Sequence, residues 1–174
     1  MIIHQIVGYS NSGKTTIITK VIELLTNESL KVATVKHHGH DSPLVKEADK
    51  KDSVKHRDAG ATSTLVASDD EFNWILQHEH PFTLDDYLRM FAVVSLDVIL
   101  IEGYKKEVYP KTVVIRSNQE VNILNVATEI KAVICWDYSM IESLKGKYSF
   151  PLFHIDELTK YLLWFKRQIR EGIL

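Results

Sequence analysis

Residues 8–15, Gly8-Tyr9-Ser10-Asn11-Ser12-Gly13-Lys14-Thr15, fit the spacing G-x-x-x-x-G-K-[ST] in full. The run before them, Ile2 to Val7, is short and apolar and reads as a buried strand. The run after them, Lys14 to Leu25, carries Ile17, Ile18, Val21, Ile22, Leu24 and Leu25 at helical spacing. A glycine loop between a buried strand and a helix N-terminus is a phosphate cradle. Backbone N–H groups of Gly8, Ser10, Asn11, Ser12 and Gly13 curl round an anion, and the helix dipole favours negative charge. Lys14 brings a point charge to β/γ-phosphates, the Thr15 hydroxyl is a Mg²⁺ ligand, and Gly13 permits close backbone approach. The bland alternative is a glycine turn before an ordinary helix.

Leu30 to Val35 reads as a second strand, so the first 35 residues form a βαβ unit with parallel strands and a right-handed crossover. Further along, Thr62 to Ala67 and Glu71 to Gln77 flank the turn Ser68-Asp69-Asp70 and predict a hairpin. Thr83 with Asp86 has capping-box spacing before a helix from Leu84 to Phe91. Val98 to Ile101, Thr112 to Ile115, Ile130 to Ile134 and Leu152 to His154 are strands. Ser139 is expected to cap a helix through Leu144, and Asp156 to start a final helix, Glu157 to Arg170. The polar stretch His37 to Asp58 holds a helical piece around Ser53 to Asp58. The expected fold is α/β, a P-loop NTPase-like, mostly parallel sheet flanked by helices with a β-hairpin insertion. Residues 1–174 read as one nucleotide-binding domain.

Charge and composition exclude several classes. Hydrophobic residues are 45% and charged residues 25% of 174, which is globular rather than disordered. Twenty-one Lys and Arg face 23 Asp and Glu, for a net charge of -2, so no general field attracts nucleic acid. Cys135, the single cysteine, excludes an intrachain disulfide and a Cys-rich zinc or iron–sulfur site. No apolar run reaches ~18 residues, and the N-terminus lacks the pattern of a secretion signal. The expectation is a cytoplasmic protein with no membrane partner.

A second carboxylate is expected at the end of a neighbouring strand. Glu102, where the apolar run Val98 to Ile101 stops, suits a Mg²⁺- or water-holding role, and Gly103 lets the chain turn beside the phosphates. Asp97 lies at the other end of that strand, about 17 Å away at ~3.3 Å per residue, and cannot share it. The alternative for Glu102 is a solvated strand end. Lys36 leaves the second strand at its carboxyl edge, where open sheets bind ligands, and can reach a γ-phosphate. Lys14, Lys36 and Glu102 are therefore the catalytic candidates, with Thr15 and Glu102 on the metal. Asp41 is a further metal or water ligand. His37, His38 and His40 form either a metal or phosphate contact or a polar surface loop. Lys55 to Ala61 is a basic cluster able to close over an anion. No Asn-Lys-x-Asp guanine-reading element is present. Asp137 can accept from a purine amine and Trp136 can stack; alternatively they are a helix-start Asp and a core Trp.

These residues together resemble the molybdopterin-guanine dinucleotide biosynthesis adaptor protein family. The likeness rests on Gly8 to Thr16, on Thr34-Val35-Lys36-His37-His38, on Lys51-Asp52-Ser53 with His56-Arg57 and Ala59-Gly60-Ala61, and on Leu100-Ile101-Glu102-Gly103-Tyr104-Lys105. It spans roughly residues 2–170. It implies a homodimer that binds GTP with Mg²⁺, Thr16 included in the binding loop, and hydrolyses GTP slowly. It also implies partnership with the guanylyltransferase that joins GMP to molybdopterin, with molybdopterin or its guanine dinucleotide as the small-molecule partner. Two features depart from the family pattern: Gly39 interrupts the histidines, and Ala48-Asp49-Lys50 stands where Pro-Gly precedes the Lys-Asp-Ser. Two other functions remain open. An ATP-dependent kinase or ligase similar to dethiobiotin synthetase needs a second-substrate pocket, and a nickel-delivery GTPase would use the histidines but lacks a paired Cys-His motif. The hairpin from Thr62 to Gln77, rich in Leu65, Val66, Phe72, Trp74 and Ile75, is either a dimer edge or an edge covered by the C-terminal helix.

Overall fold

The computed structural model describes residues 1–38, 52–77 and 80–174. They fall into two compact units, one built from residues 1–37 with 88–174 and a smaller one within residues 38–87.

The larger unit is a six-stranded, wholly parallel sheet. Its strands are β1 (Ile2–Gly8), β2 (Val32–Lys36), β5 (Val98–Glu102), β6 (Lys111–Ile115), β7 (Ile130–Cys135) and β8 (Leu152–His154), in the order β2-β5-β1-β6-β7-β8. Parallel strands need both faces covered, which explains why their sequences are continuously apolar instead of alternating. Neighbouring residues on a strand point to opposite faces. Ile6, Val114 and Ile134 join one core with α1 (Lys14–Asn27) and α6 (Leu158–Arg170), through Ile17, Val21, Leu25, Tyr161 and Phe165. Val7, Val113 and Val133 join the other with α4 (Ile123–Val126) and α5 (Tyr138–Leu144), through Ile123, Met140 and Leu144. Each fully buried Ile, Leu or Phe contributes about 1.5–3 kcal/mol. Glu28, at the end of α1, accepts from Arg170 Nη2 of α6 at 2.6 Å and ties the two helices across their ends.

β1 lies between β5 and β6, with Ile6 opposite Glu102 on one side and Gly8 opposite Val114 on the other. From β1 the chain crosses to β2 on one side, and from β5 it crosses past β1 to β6 on the other. The carboxyl end of β1 is therefore the point in an open parallel sheet where a crevice forms and ligands bind.

Several boundaries differ from the sequence reading for identifiable reasons. Strand β2 begins at Val32 because the Leu30 N–H still bonds the Leu25 carbonyl of the helix exit. The Lys31 N–H then bonds the Asp97 carboxylate at 2.7 Å, which gives Asp97 a structural place at the far end of β5. Asp137, not Ser139, caps α5, since the Ser139 N–H is itself the donor to Asp137 Oδ1 at 2.8 Å. The final helix begins at Leu158, behind a 3₁₀ turn at residues 155–157 where His154 Nδ1 accepts from the Asp156 N–H. The short helix α4 has no counterpart in the sequence reading; four residues are too few to set a period.

The smaller unit holds α2 (Asp52–Asp58) and the antiparallel hairpin β3 (Ser63–Ala67) and β4 (Phe72–Leu76). The turn is closed by the Ser68 N–H on the Glu71 carbonyl, as the Ser-Asp-Asp signal predicts. Helix α3 (Leu84–Met90) opens with the expected reciprocal cap: the Asp86 N–H donates to Thr83 Oγ1, and the Thr83 N–H donates to Asp86 Oδ2.

Candidate functional site

The site is built on the carboxyl ends of β1, β5 and β2. The loop from Gly8 to Gly13 reverses between β1 and α1 under two backbone constraints. A Cβ on Gly8 would lie 2.6 Å from the Val114 carbonyl oxygen, so the neighbouring strand leaves room for glycine alone. Gly13 has φ +92°, and a Cβ there would lie 3.1 Å from Trp136 Cζ2. Asn11 also holds a left-handed conformation, at φ 60°, which asparagine tolerates better than most side chains. No side chain caps α1, among the described residues. Its first N–H groups, which have no intrahelical acceptor, are the donors an anion would need.

Four of the side chains expected from the sequence come together here. The Thr15 hydroxyl stands 3.2 and 3.1 Å from the two carboxylate oxygens of Glu102. Lys36 Nζ is 3.3 Å from Glu102 Oε1 and 3.4 Å from Thr15 Oγ1. Lys14 reaches back over the loop to the Tyr9 carbonyl at 2.7 Å. Burial, which penalises the charged form, lowers the Lys14 ammonium below the ordinary lysine range, and the Glu102 carboxylate works in the opposite direction. A hydroxyl and a carboxylate form a hard oxygen pair suited to Mg²⁺. Two ammonium groups within reach of the same crevice suit a polyanion.

Glu102 is aimed by a residue the sequence reading missed. Gln5, buried in β1, donates through Nε2 to the carbonyls of Gly103 at 3.1 Å and Tyr104 at 2.9 Å. This pins the exit of β5 just beyond Glu102. Gly103 has φ +94°, and a Cβ there would meet His37 Cβ at 3.0 Å, so glycine is required for the turn. The His37 N–H donates to the Glu102 carbonyl, and its ring stands edge-on to Tyr104 at 4.7 Å. His38 is described and exposed, whereas His40 and Asp41 lie outside the described residues.

A second pair of missed contacts holds the glycine loop. Arg116, just past β6, donates to the Asn11 carbonyl at 2.9 Å. Trp136, just past β7, donates through its indole N–H to the Ser12 carbonyl at 2.9 Å. The Arg116 guanidinium lies 5.1 Å from the centre of the Trp136 ring, a cation–π distance. Trp136 thus supports the loop from beneath Gly13. Asp137 caps α5, and that bond lowers its carboxyl below the usual range. The sequence signals were a polar Gln inside an apolar central strand and an Arg at a strand's carboxyl end; neither declares its partner.

A family model described as Molybdopterin guanine dinucleotide synthesis protein B matches residues 3–136. The chain is 32% identical over 155 residues to a Bacillus subtilis (strain 168) protein called "Probable molybdopterin-guanine dinucleotide biosynthesis adapter protein", covering 88% of this chain and 85% of that one. Among solved structures, a MobB protein homolog from Bacillus stearothermophilus superposes with a TM-score of 0.78 at 32% identity, over 98% of this chain and 99% of the other. Bacillus subtilis MobB superposes with a TM-score of 0.77 at 26% identity, over 95% and 97%.

Proposed function

The chain belongs to the molybdopterin guanine dinucleotide synthesis protein B family, and on that premise we propose that it is a GTP-binding adapter. It assists the guanylyltransferase that attaches GMP to molybdopterin, and it is a slow Mg²⁺-dependent GTPase. The observation that carries the nucleotide part is the Thr15–Glu102 pair, whose hydroxyl and carboxylate oxygens lie 3.1–3.2 Å apart at the N-terminus of α1. In this reading the N–H groups of the glycine loop and α1 bind the phosphates, and Lys14 exchanges the Tyr9 carbonyl for a β/γ-phosphate oxygen. Lys36 leaves Glu102 for the γ-phosphate. Thr15 and Glu102 would hold Mg²⁺, which when bound neutralises charge on the phosphate oxygens. Arg116 and Trp136 keep the loop in its binding form before nucleotide arrives. The preference for GTP and the guanylyltransferase partner rest on family membership. A homodimer acting in the cytoplasm completes the reading. No helix among the described residues is long and apolar enough to cross a membrane.

The test is calorimetric titration of wild-type protein and Lys14→Ala with GTP and Mg²⁺, alongside circular dichroism. Wild type should bind tightly, and the variant should lose that binding with its fold unchanged. Equal affinity in the two proteins would overturn the nucleotide reading. A pull-down with the guanylyltransferase, with and without GTP, tests the adapter reading separately.

A further inference from the structure

The smaller unit carries an open cavity of about 460 Å³, made entirely of residues the nucleotide reading leaves unused. One face of the hairpin forms its floor. The register sets Thr64 opposite Ile75 and Val66 opposite Asn73, so these four share a face. Ser53, Val54 and Arg57 of α2, at helical spacing i, i+1 and i+4, line the same space. The volume is that of a small-molecule site.

Its polar groups are the informative part. Thr64 is more than nine-tenths buried, and its hydroxyl has no hydrogen-bond partner among the described residues. A buried hydroxyl left so costs about 1–3 kcal/mol, and native structures rarely tolerate one without a reason. On α2 the neighbouring cation, Lys55, is committed to Asp52 at 2.7 Å. The Arg57 side chain makes no hydrogen bond or ion pair with another described residue, and neither does the side chain of Ser53 or Asn73. One guanidinium, two hydroxyls and one amide are thus available to a single cavity. A carboxylate presents two oxygens to such a set; a phosphate monoester presents three, and the planar guanidinium fork matches it. The remaining walls, Val54, Val66, Ile75 and the Phe72 ring, are apolar. Glu71, the one carboxylate of the lining, sits by the turn, about 13 Å along the strand from Thr64. It is therefore clear of an anion at the Thr64 end and able to accept from a ring N–H.

We propose that this cavity binds a small organic phosphate monoester with a flat ring. Arg57, Ser53 and Thr64 take the phosphate, and the apolar walls with Phe72 take the ring. The site goes beyond the nucleotide reading and stands independently of it.

The test is amide-resolved NMR of the full-length ¹⁵N-labelled protein titrated with phenyl phosphate, repeated in Lys14→Ala. Saturable shifts should appear at residues 53–57 and 64–75 and persist in Lys14→Ala, whatever happens at residues 8–16. Arg57→Gln should weaken them about tenfold or more, and the near-isosteric Thr64→Val several-fold. Phenol, which lacks the phosphate, should bind at least about tenfold more weakly than phenyl phosphate. Shifts confined to residues 8–16, or lost with Lys14→Ala, would overturn the site. So would phenol binding as tightly as the ester, which would leave only an apolar hole, or full affinity in both Arg57→Gln and Thr64→Val.

Discussion

At the scale of single residues, Glu102 is where position and chemistry meet. Its carboxylate has the Thr15 hydroxyl on one side and Lys36 on another. Glu102→Gln keeps the shape and removes the charge while leaving the loop N–H donors intact. GTP affinity should change only slightly, and single-turnover hydrolysis should fall about 10- to 100-fold. Wild-type values for both would reduce Glu102 to a strand end. Gly8 makes a different kind of prediction. Because a Cβ there meets the Val114 carbonyl at 2.6 Å, and backbone cannot step aside as a side chain can, Gly8→Ala should cost about 1–3 kcal/mol in urea unfolding. A loss below about 0.5 kcal/mol would mean that β1 and β6 separate easily at that point.

Among the elements, the β1–β6–α6 layer carries a titratable lock. His4 on β1 is fully buried; its Nε2 lies 2.9 Å from Thr112 Oγ1, which in turn lies 2.9 Å from the Tyr161 hydroxyl of α6. Burial, with the Lys111 and Lys131 charges, depresses the imidazole from 6.5 to about 3. The folded protein therefore binds the His4 proton less readily than the unfolded chain. This contribution to stability is complete above pH 6.5 and is lost as pH falls towards 3, amounting to about 3 kcal/mol by pH 4. Urea midpoints at pH 7.5 and pH 4 should show that loss in wild type and a clearly smaller one in His4→Gln. Equal acid sensitivity would place the effect elsewhere. The strands and the two long helices were legible in the sequence, because fully covered strands read as apolar runs and α1 and α6 repeat their apolar positions. The glycine loop, Lys36 and Glu102 were legible for a related reason: each is defined by a local pattern or a strand end. Gln5, Arg116 and Trp136 were not. Their partners lie 98, 105 and 124 positions away, and those contacts follow only once the order β5-β1-β6-β7 is known. Ser139 was misread by two places because an Asp and a Ser at a helix start carry the same signal until the donor is known.

For the molecule as a whole, assembly turns on the hairpin. Leu65 is paired with Trp74 on the face away from the cavity floor. Leu65 and Trp74 are 56% and 45% exposed. In the homodimer reading this face meets its twin across a two-fold axis. Sedimentation at low micromolar concentration should give a species of twice 20.0 kDa, and Leu65→Lys with Trp74→Lys should return it to the monomer. A wild-type monomer at that concentration would reject the stable dimer.

The sheet order also sets a timetable for synthesis. Of the six strands of the larger sheet β1 is made first, yet its neighbours are residues 98–102 and 111–114. At about 5–20 residues per second, β1 waits some 5–20 seconds for an edge to pair with. During that interval Ile2, Ile3, Ile6 and Val7 form an unpaired apolar ribbon of the kind that recruits other chains. Gln5 has no Gly103 to hold until the same moment, and the glycine loop waits longer still for Trp136. The anion cradle at the front of the chain is among the last parts of the larger unit to take shape. Nascent chains would gain most from a chaperone that shields β1 until β5 and β6 have been made.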